Sequence, residues 1–212
     1  MSSGYHNGRT HIRSKIRSLF ISLINEPSNY AEITPHLEYW IDYVLREDFI
    51  TVDELVEGAS DLAWHQGGPF ASVLKEFHDS RHRSEQARTF VSQLCSHVLR
   101  WFAIASVEDL YDNSTSSYVS IGGRPGFLRA ASFVGHLIKW ELLSHELVRR
   151  HLTKSLTNHR DDNGTTNFPG AVRAKAIYEL FTTTGNTLLQ GLLEPNDVQA
   201  CFNMLDTWCQ RG

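Results

Sequence analysis

The chain has 212 residues and a mass of 24.1 kDa, with 41% hydrophobic residues, a mean hydropathy of −0.30 and a formal net charge of −4. A chain of this size buries about 70% of the surface it exposes when unfolded, so one domain can stand without a disulfide or metal staple. No apolar run approaches the ~18 residues of a membrane span, and Cys95, Cys201 and Cys209 are too few and too scattered for a disulfide framework or a zinc ribbon.

The N-terminus has no apolar stretch before Ile12, unlike a secretory signal. The expectation is a cytoplasmic or nuclear protein with reduced thiols and no membrane contact. Charge is segregated along the chain: residues 1–25 carry +4, 26–112 carry −10, 113–175 carry +5 and 176–212 carry −3. Such separation creates a field that steers charged partners.

Residues 1–9 are small and polar and predict a flexible end, with the folded domain spanning 10–212. From His11, Ile12, Ile16, Leu19, Phe20 and Leu23 recur at helical spacing, and Pro27 ends that helix. Thr34-Pro35 predicts the start of a second helix with the stripe Leu37, Trp40, Ile41, Val44 and Leu45. Thr51-Val52-Asp53-Glu54 has the capping-box pattern and opens a third. Gly67-Gly68 predicts its end and Pro69 a new start, with Phe70, Val73, Leu74 and Phe77 as its stripe. Residues 84–105 form the longest helical pattern, with Phe90, Val91, Leu94, Val98, Trp101 and Phe102 on one face.

Residues 112–117 and Gly122-Gly123-Arg124-Pro125-Gly126 read as loops rich in breakers. Helical patterning resumes over 127–140, and Ser144 can cap a further helix to Leu156. A second polar loop spans 158–170. A helix over 171–183 is stopped by Gly185, and a last one after Pro195 carries Val198, Phe202, Leu205 and Trp208. Only Tyr118-Val119-Ser120-Ile121 reads as extended. The class is therefore all-α, with short helices joined by short turns. Such helix pairs suggest a HEAT-like α-α superhelix of roughly five antiparallel pairs.

Signals for catalysis are weak. His78 and His82 stand four apart, but Asp79 replaces the glutamate of the zinc-protease pattern and no third ligand presents itself. There is no nucleophile elbow and no phosphate-binding loop. Asp53-Glu54 and Asp161-Asp162 fit capping and solvation rather than acid–base work. No enzyme activity, metal or cofactor is expected. Basic residues give a stronger signal. Arg149, Arg150, His151 and Lys154 cluster on the helix after Ser144, Lys139 precedes them, and Arg13 and Arg17 share a face of the first helix. These could contact phosphates, although the pI of about 6.2 is below that of a dedicated nucleic-acid binder.

Three segments carry a family resemblance. Phe133-Val134-Gly135-His136-Leu137-Ile138-Lys139-Trp140-Glu141-Leu142-Leu143-Ser144 resembles the F-I-G-E-L-x-K-x-x-[ML]-L-[ST] segment of the middle domain of eukaryotic translation initiation factor 4G. Leu180-Phe181-Thr182-Thr183-Thr184-Gly185-Asn186-Thr187-Leu188 is similar to that family's L-x-T-T-x-G-x-x-L, and Cys201-Phe202-Asn203-Met204-Leu205 to part of its last helix. In physical terms, Gly135 lets a neighbouring helix approach closely, Leu142-Leu143 closes the turn onto the core, and Ser144 caps the next helix. The resemblance covers residues 133–208.

It implies a non-enzymatic scaffold in mRNA translation or metabolism, binding a DEAD-box RNA helicase such as initiation factor 4A or another translation factor. The candidate partner-binding residues are Arg149, Arg150, Lys154, Thr183, Gly185, Asn186, Leu189 and Gln190. His136 replaces the family's glutamate, and Leu189-Gln190 stands where an acidic–aromatic pair is usual. The alternatives are an RNA-binding module using Arg13, Arg17 and Lys139, or a protein-interaction or dimerisation platform.

Overall fold

The computed structural model describes residues 3–47, 51–79, 84–104, 123–157, 170–185 and 191–210. The described residues form eight α-helices and one 3₁₀ turn, with no strand: α1 (Ser3–Asn25), the 3₁₀ turn Pro27–Asn29, α2 (Tyr30–Arg46), α3 (Val52–Asp79), α4 (Glu85–Ile104), α5 (Gly123–Lys139), α6 (His145–Thr157), α7 (Gly170–Thr184) and α8 (Pro195–Cys209). The fold is all-α. Length alone suggests one domain, whereas the contacts divide the chain into two compact units, Met1–His97 and Val98–Gly212.

In the first unit α1 packs against both α2 and α3. Its buried stripe is Ile16, Phe20 and Leu23, met by Leu37, Ile41 and Val44 of α2 and by Leu55, Leu62, Phe70, Leu74 and Phe77 of α3. Phe20 sits at the centre. Its ring centroid lies 5.3 Å from Phe70 and 6.3 Å from Phe77 in edge-on contact, and 6.0 Å from Phe90 in a stacked one. Edge-to-face pairs of this kind add about 0.5–1.5 kcal/mol each beyond area burial.

Local sequence signals explain most helix ends. Glu54 N–H donates to Thr51 Oγ1 (3.2 Å) and Thr51 N–H to Glu54 Oε2 (2.9 Å), the reciprocal pair of a capping box. Ser84 Oγ accepts from Ala87 N–H (3.1 Å) and starts α4. The Ser84 amide also donates to Glu38 (2.6 Å) and its hydroxyl to Asp42, so α2 positions the start of α4. The Gly67-Gly68 break falls at Gly67, whose φ of 41° only glycine adopts easily; α3 resumes beyond it through Pro69.

Three boundaries differ from the sequence expectation. α1 is helical from Ser3, so residues 3–9 continue the helix. α2 begins at Tyr30 because the Pro27–Asn29 turn leads into it. Thr34 is therefore inside the helix, buried, and donates its hydroxyl to Tyr30 O (2.7 Å) rather than capping. Pro35 breaks one backbone bond there, and both it and Ala31, whose carbonyl loses that donor, lie on the exposed side. Finally, α5 starts at Gly123, so residues 123–126 form its first turn, where Pro125 needs no donor. Residues 105–122, 158–169 and His82 lie outside the described ones, and with them the extended piece 118–121 and Asp161-Asp162.

In the second unit α7 is the hub, packed against α5 and α8, while α8 also meets α6. Its core holds Phe133, Val134, Leu137 and Ile138 of α5, Val148 of α6, Ile177, Leu180 and Phe181 of α7, and Leu192, Leu193 and Cys201. Burial pushes the Cys95 thiol of α4 up to about 12, so it is a packing residue rather than a nucleophile.

Candidate functional site

The two longest resemblance segments meet in space. Gly135 on α5 faces Thr183 on α7. A Cβ at position 135 would overlap Thr183 Oγ1, come within 2.9 Å of Thr183 Cβ and lie 3.2 Å from Leu180 O. Only glycine permits this approach. The neighbouring Thr184 is 4% exposed, and its hydroxyl donates to the Gly135 carbonyl at 3.3 Å. Thr183 turns its own hydroxyl back to Glu179 O at 2.7 Å, satisfying it within α7. The Gly and Thr-Thr signatures are two halves of one close helix contact.

Both segments then turn. α5 ends with Leu142 N–H donating to Leu137 O (2.9 Å) and Glu141 N–H to Ile138 O (3.0 Å), the Schellman pattern. The left-handed position of that motif usually takes glycine; here Glu141 occupies it with φ 57°. Ser144 Oγ accepts from Leu147 N–H at 3.3 Å and starts α6. α7 ends at Gly185 (φ 93°), whose amide donates to Phe181 O at 2.9 Å.

His136, the departure from the resembled pattern, packs against Trp140 with centroids 5.0 Å apart and planes tilted by 34°. Its Nδ1 is buried with no hydrogen-bond partner among the described residues. Burial, then the nearby Lys139 charge, lower its pKa below the ordinary 6.5. It is therefore a neutral, packed side chain near pH 7.

Of the expected partner-binding residues, Arg149 reaches the segment after the Gly185 turn, with Nε donating to Leu192 O (3.4 Å) and Nη1 3.6 Å from Glu194. Arg150 is exposed and donates to Glu146 one turn back (2.8 Å). Thr183 and Gly185 serve packing and turning, as described. The side chain of Lys154 and residues Asn186, Leu189 and Gln190 lie outside the described ones. Arg13 and Arg17 are engaged across α1 and α3: Arg13 with Glu54 at 2.9 Å, Arg17 with Asp61 through two donors at 3.0 and 2.7 Å. Lys139 is exposed on the last turn of α5.

Among the described residues no three His, Cys, Asp or Glu side chains gather at a metal-binding spacing, and no helix is long and apolar enough to cross a membrane. One surface feature escaped the sequence reading. Tyr39 and Tyr43 of α2 fall one turn apart outside the Leu37, Ile41 and Val44 stripe, and Tyr39 is 61% exposed. Their i, i+4 spacing off the apolar face was the available signal. No known protein family, no curated protein and no solved structure matches the chain.

Proposed function

We propose that the protein is a non-enzymatic scaffold in mRNA translation or mRNA metabolism, similar in kind to the middle domain of initiation factor 4G. On this reading it binds a DEAD-box RNA helicase of the initiation factor 4A type, or another translation factor, and its helix pairs continue as a HEAT-like superhelix of roughly five units. The supporting observation is the seating of Gly135 under Thr183, with the Thr184 hydroxyl on the Gly135 carbonyl. Two segments that resemble the same family, 49 residues apart at that bond, form one contact. The same unit offers Arg150, exposed on α6, while Arg149 of α6 bonds Leu192 and Glu194 just before α8.

The test is capture of purified initiation factor 4A by the full chain, with Arg150→Glu compared. Capture is expected with the parent chain and several-fold less with the variant, because Arg150 is exposed and its reversal leaves the core intact. No capture at micromolar concentration rejects the helicase partner. The alternative of RNA binding through Arg13 and Arg17 is weakened by their ion pairs to Glu54 and Asp61, which already spend the charge that phosphates would meet.

A further inference from the structure

Three aromatic rings lie together on α2, Tyr39 exposed and Trp40 and Tyr43 half-buried, so Trp40 stands at the edge of the expected apolar stripe rather than within it. Tyr39 and Tyr43 lie with centroids 6.0 Å apart and planes within 10°. Trp40 stands nearly perpendicular to both, 5.9 Å from Tyr39 at 78° and 6.0 Å from Tyr43 at 88°. The core stripe of this helix, Thr34, Leu37, Ile41 and Val44, is buried elsewhere. Tyr39, at 61%, is the more exposed of the two large hydrophobic residues exposed among the described ones, the other being Tyr178. Aromatic residues lose side-chain freedom in a helix, and the open ring of Tyr39 recovers little of that through burial.

Charge around the rings says what suits them. Glu32 lies two turns before Tyr39 and Glu47 follows Tyr43 by four positions, both exposed on the same stripe. Glu38 and Asp42 flank it, held in place by the Ser84 amide and hydroxyl. Arg46, seven positions after Tyr39, and His36, three before it, are exposed on the same face, against Glu32, Glu38 and Asp42 within the helix and Glu47 at its cap. The wider segment 26–112 carries 16 acidic and 6 basic side chains. The open π face of Tyr39 in a negative field attracts cations. The parallel tyrosines stand too close together to admit an ammonium group between them. A planar guanidinium can instead lie on the open face of Tyr39 and reach a carboxylate with its edge. A nucleic acid could stack bases on the same rings, but would bring its phosphates into this negative field.

We propose that the Tyr39, Trp40 and Tyr43 face of α2 is a docking surface for an arginine-rich segment of a partner protein.

The experiment is fluorescence anisotropy of a short labelled peptide of alternating arginine and glycine, titrated with the full chain. The peptide is expected to bind, and a matched peptide with glutamine for arginine is not. Tyr39→Ala should weaken binding about twofold to fivefold, the range of one exposed cation–π contact, while Tyr39→Phe, which keeps the ring, should retain it. Unchanged helical circular dichroism in Tyr39→Ala confines the effect to the surface. Four results would each overturn the proposal. These are absence of peptide binding, equal binding of the glutamine peptide, an unchanged affinity in Tyr39→Ala, or tighter binding of polyuridine that is lost in Tyr39→Ala. Self-association of the chain abolished by Tyr39→Ala would also overturn it, giving the surface to a second copy.

Discussion

The α1–α3 contact and the α5–α7 contact bring two helices together by different chemistry. Between α1 and α3 the centre is bulky, with Phe20 against Phe70 and Phe77, and the rim is charged, with Arg13 on Glu54 and Arg17 on Asp61. Between α5 and α7 the point of closest approach is made of small groups, with Gly135 beneath Thr183 and a threonine hydroxyl on a backbone carbonyl. Long side chains at a rim adjust when one partner is lost. Two backbones at close approach have no rotamer to adjust, so added atoms must displace a helix. The contact whose closest point has no side chain to move is therefore the less tolerant to substitution there.

The largest effect is expected at that close approach. Gly135→Ala should destabilise by about 1–3 kcal/mol, because overpacking outweighs the helix propensity gained. A urea midpoint measures it, and hydrogen exchange should show the loss of protection in α5 and α7. Adding Thr183→Ala removes Oγ1 and should return part of the loss; no recovery would mean the clash is with the α7 backbone instead. At the α1–α3 rim the effect is smaller. Arg17→Met keeps the aliphatic stem and should cost under about 1 kcal/mol. The difference from the parent chain should shrink as salt is raised, since both partners are more than a third exposed. A buried Asp61 oxygen and the Arg13 Nε lack hydrogen-bond partners among the described residues, which further limits the worth of these pairs.

The smallest change is a gain. Glu141 holds a left-handed conformation at the end of α5, where glycine carries no Cβ penalty. Glu141→Gly should raise stability by roughly 0.5–1 kcal/mol, the strain relieved less the entropy that glycine adds to the unfolded chain. An unchanged or lower urea midpoint would indicate that the Schellman turn tolerates Glu141 without strain.

Helix starts and stops were legible wherever the signal is local. The Thr51–Glu54 box, the Ser84 and Ser144 caps and the Gly185 stop each satisfy backbone donors or acceptors within a few residues, so the sequence displays both partners. Thr34-Pro35 misled because it has the composition of a start, while the preceding Pro27–Asn29 turn had already launched α2. For the candidate site, the role of Gly135 as a point of close approach was readable, but its counterpart was not. That Thr183 and Thr184 face it depends on how α7 lies against α5. The pairing of Arg13 with Glu54 and of Arg17 with Asp61 was equally hidden, since 41 and 44 residues separate the partners.

Sequence by itself determined the helical class, the apolar stripes and most capped ends, because periodicity and capping are short-range and bounded by one or two turns of chain. Tertiary structure decided which basic residues stay unpaired by another helix, which pair with a carboxylate across two helices, and which aromatics are left open to water. Those outcomes depend on the partner helix that each face meets. Tyr39 and Phe20 differ little in composition, yet one lies in the middle of a packed ring cluster and the other is 61% exposed. A burial free energy is gained only where a second helix arrives to exclude water, and no local pattern specifies that arrival.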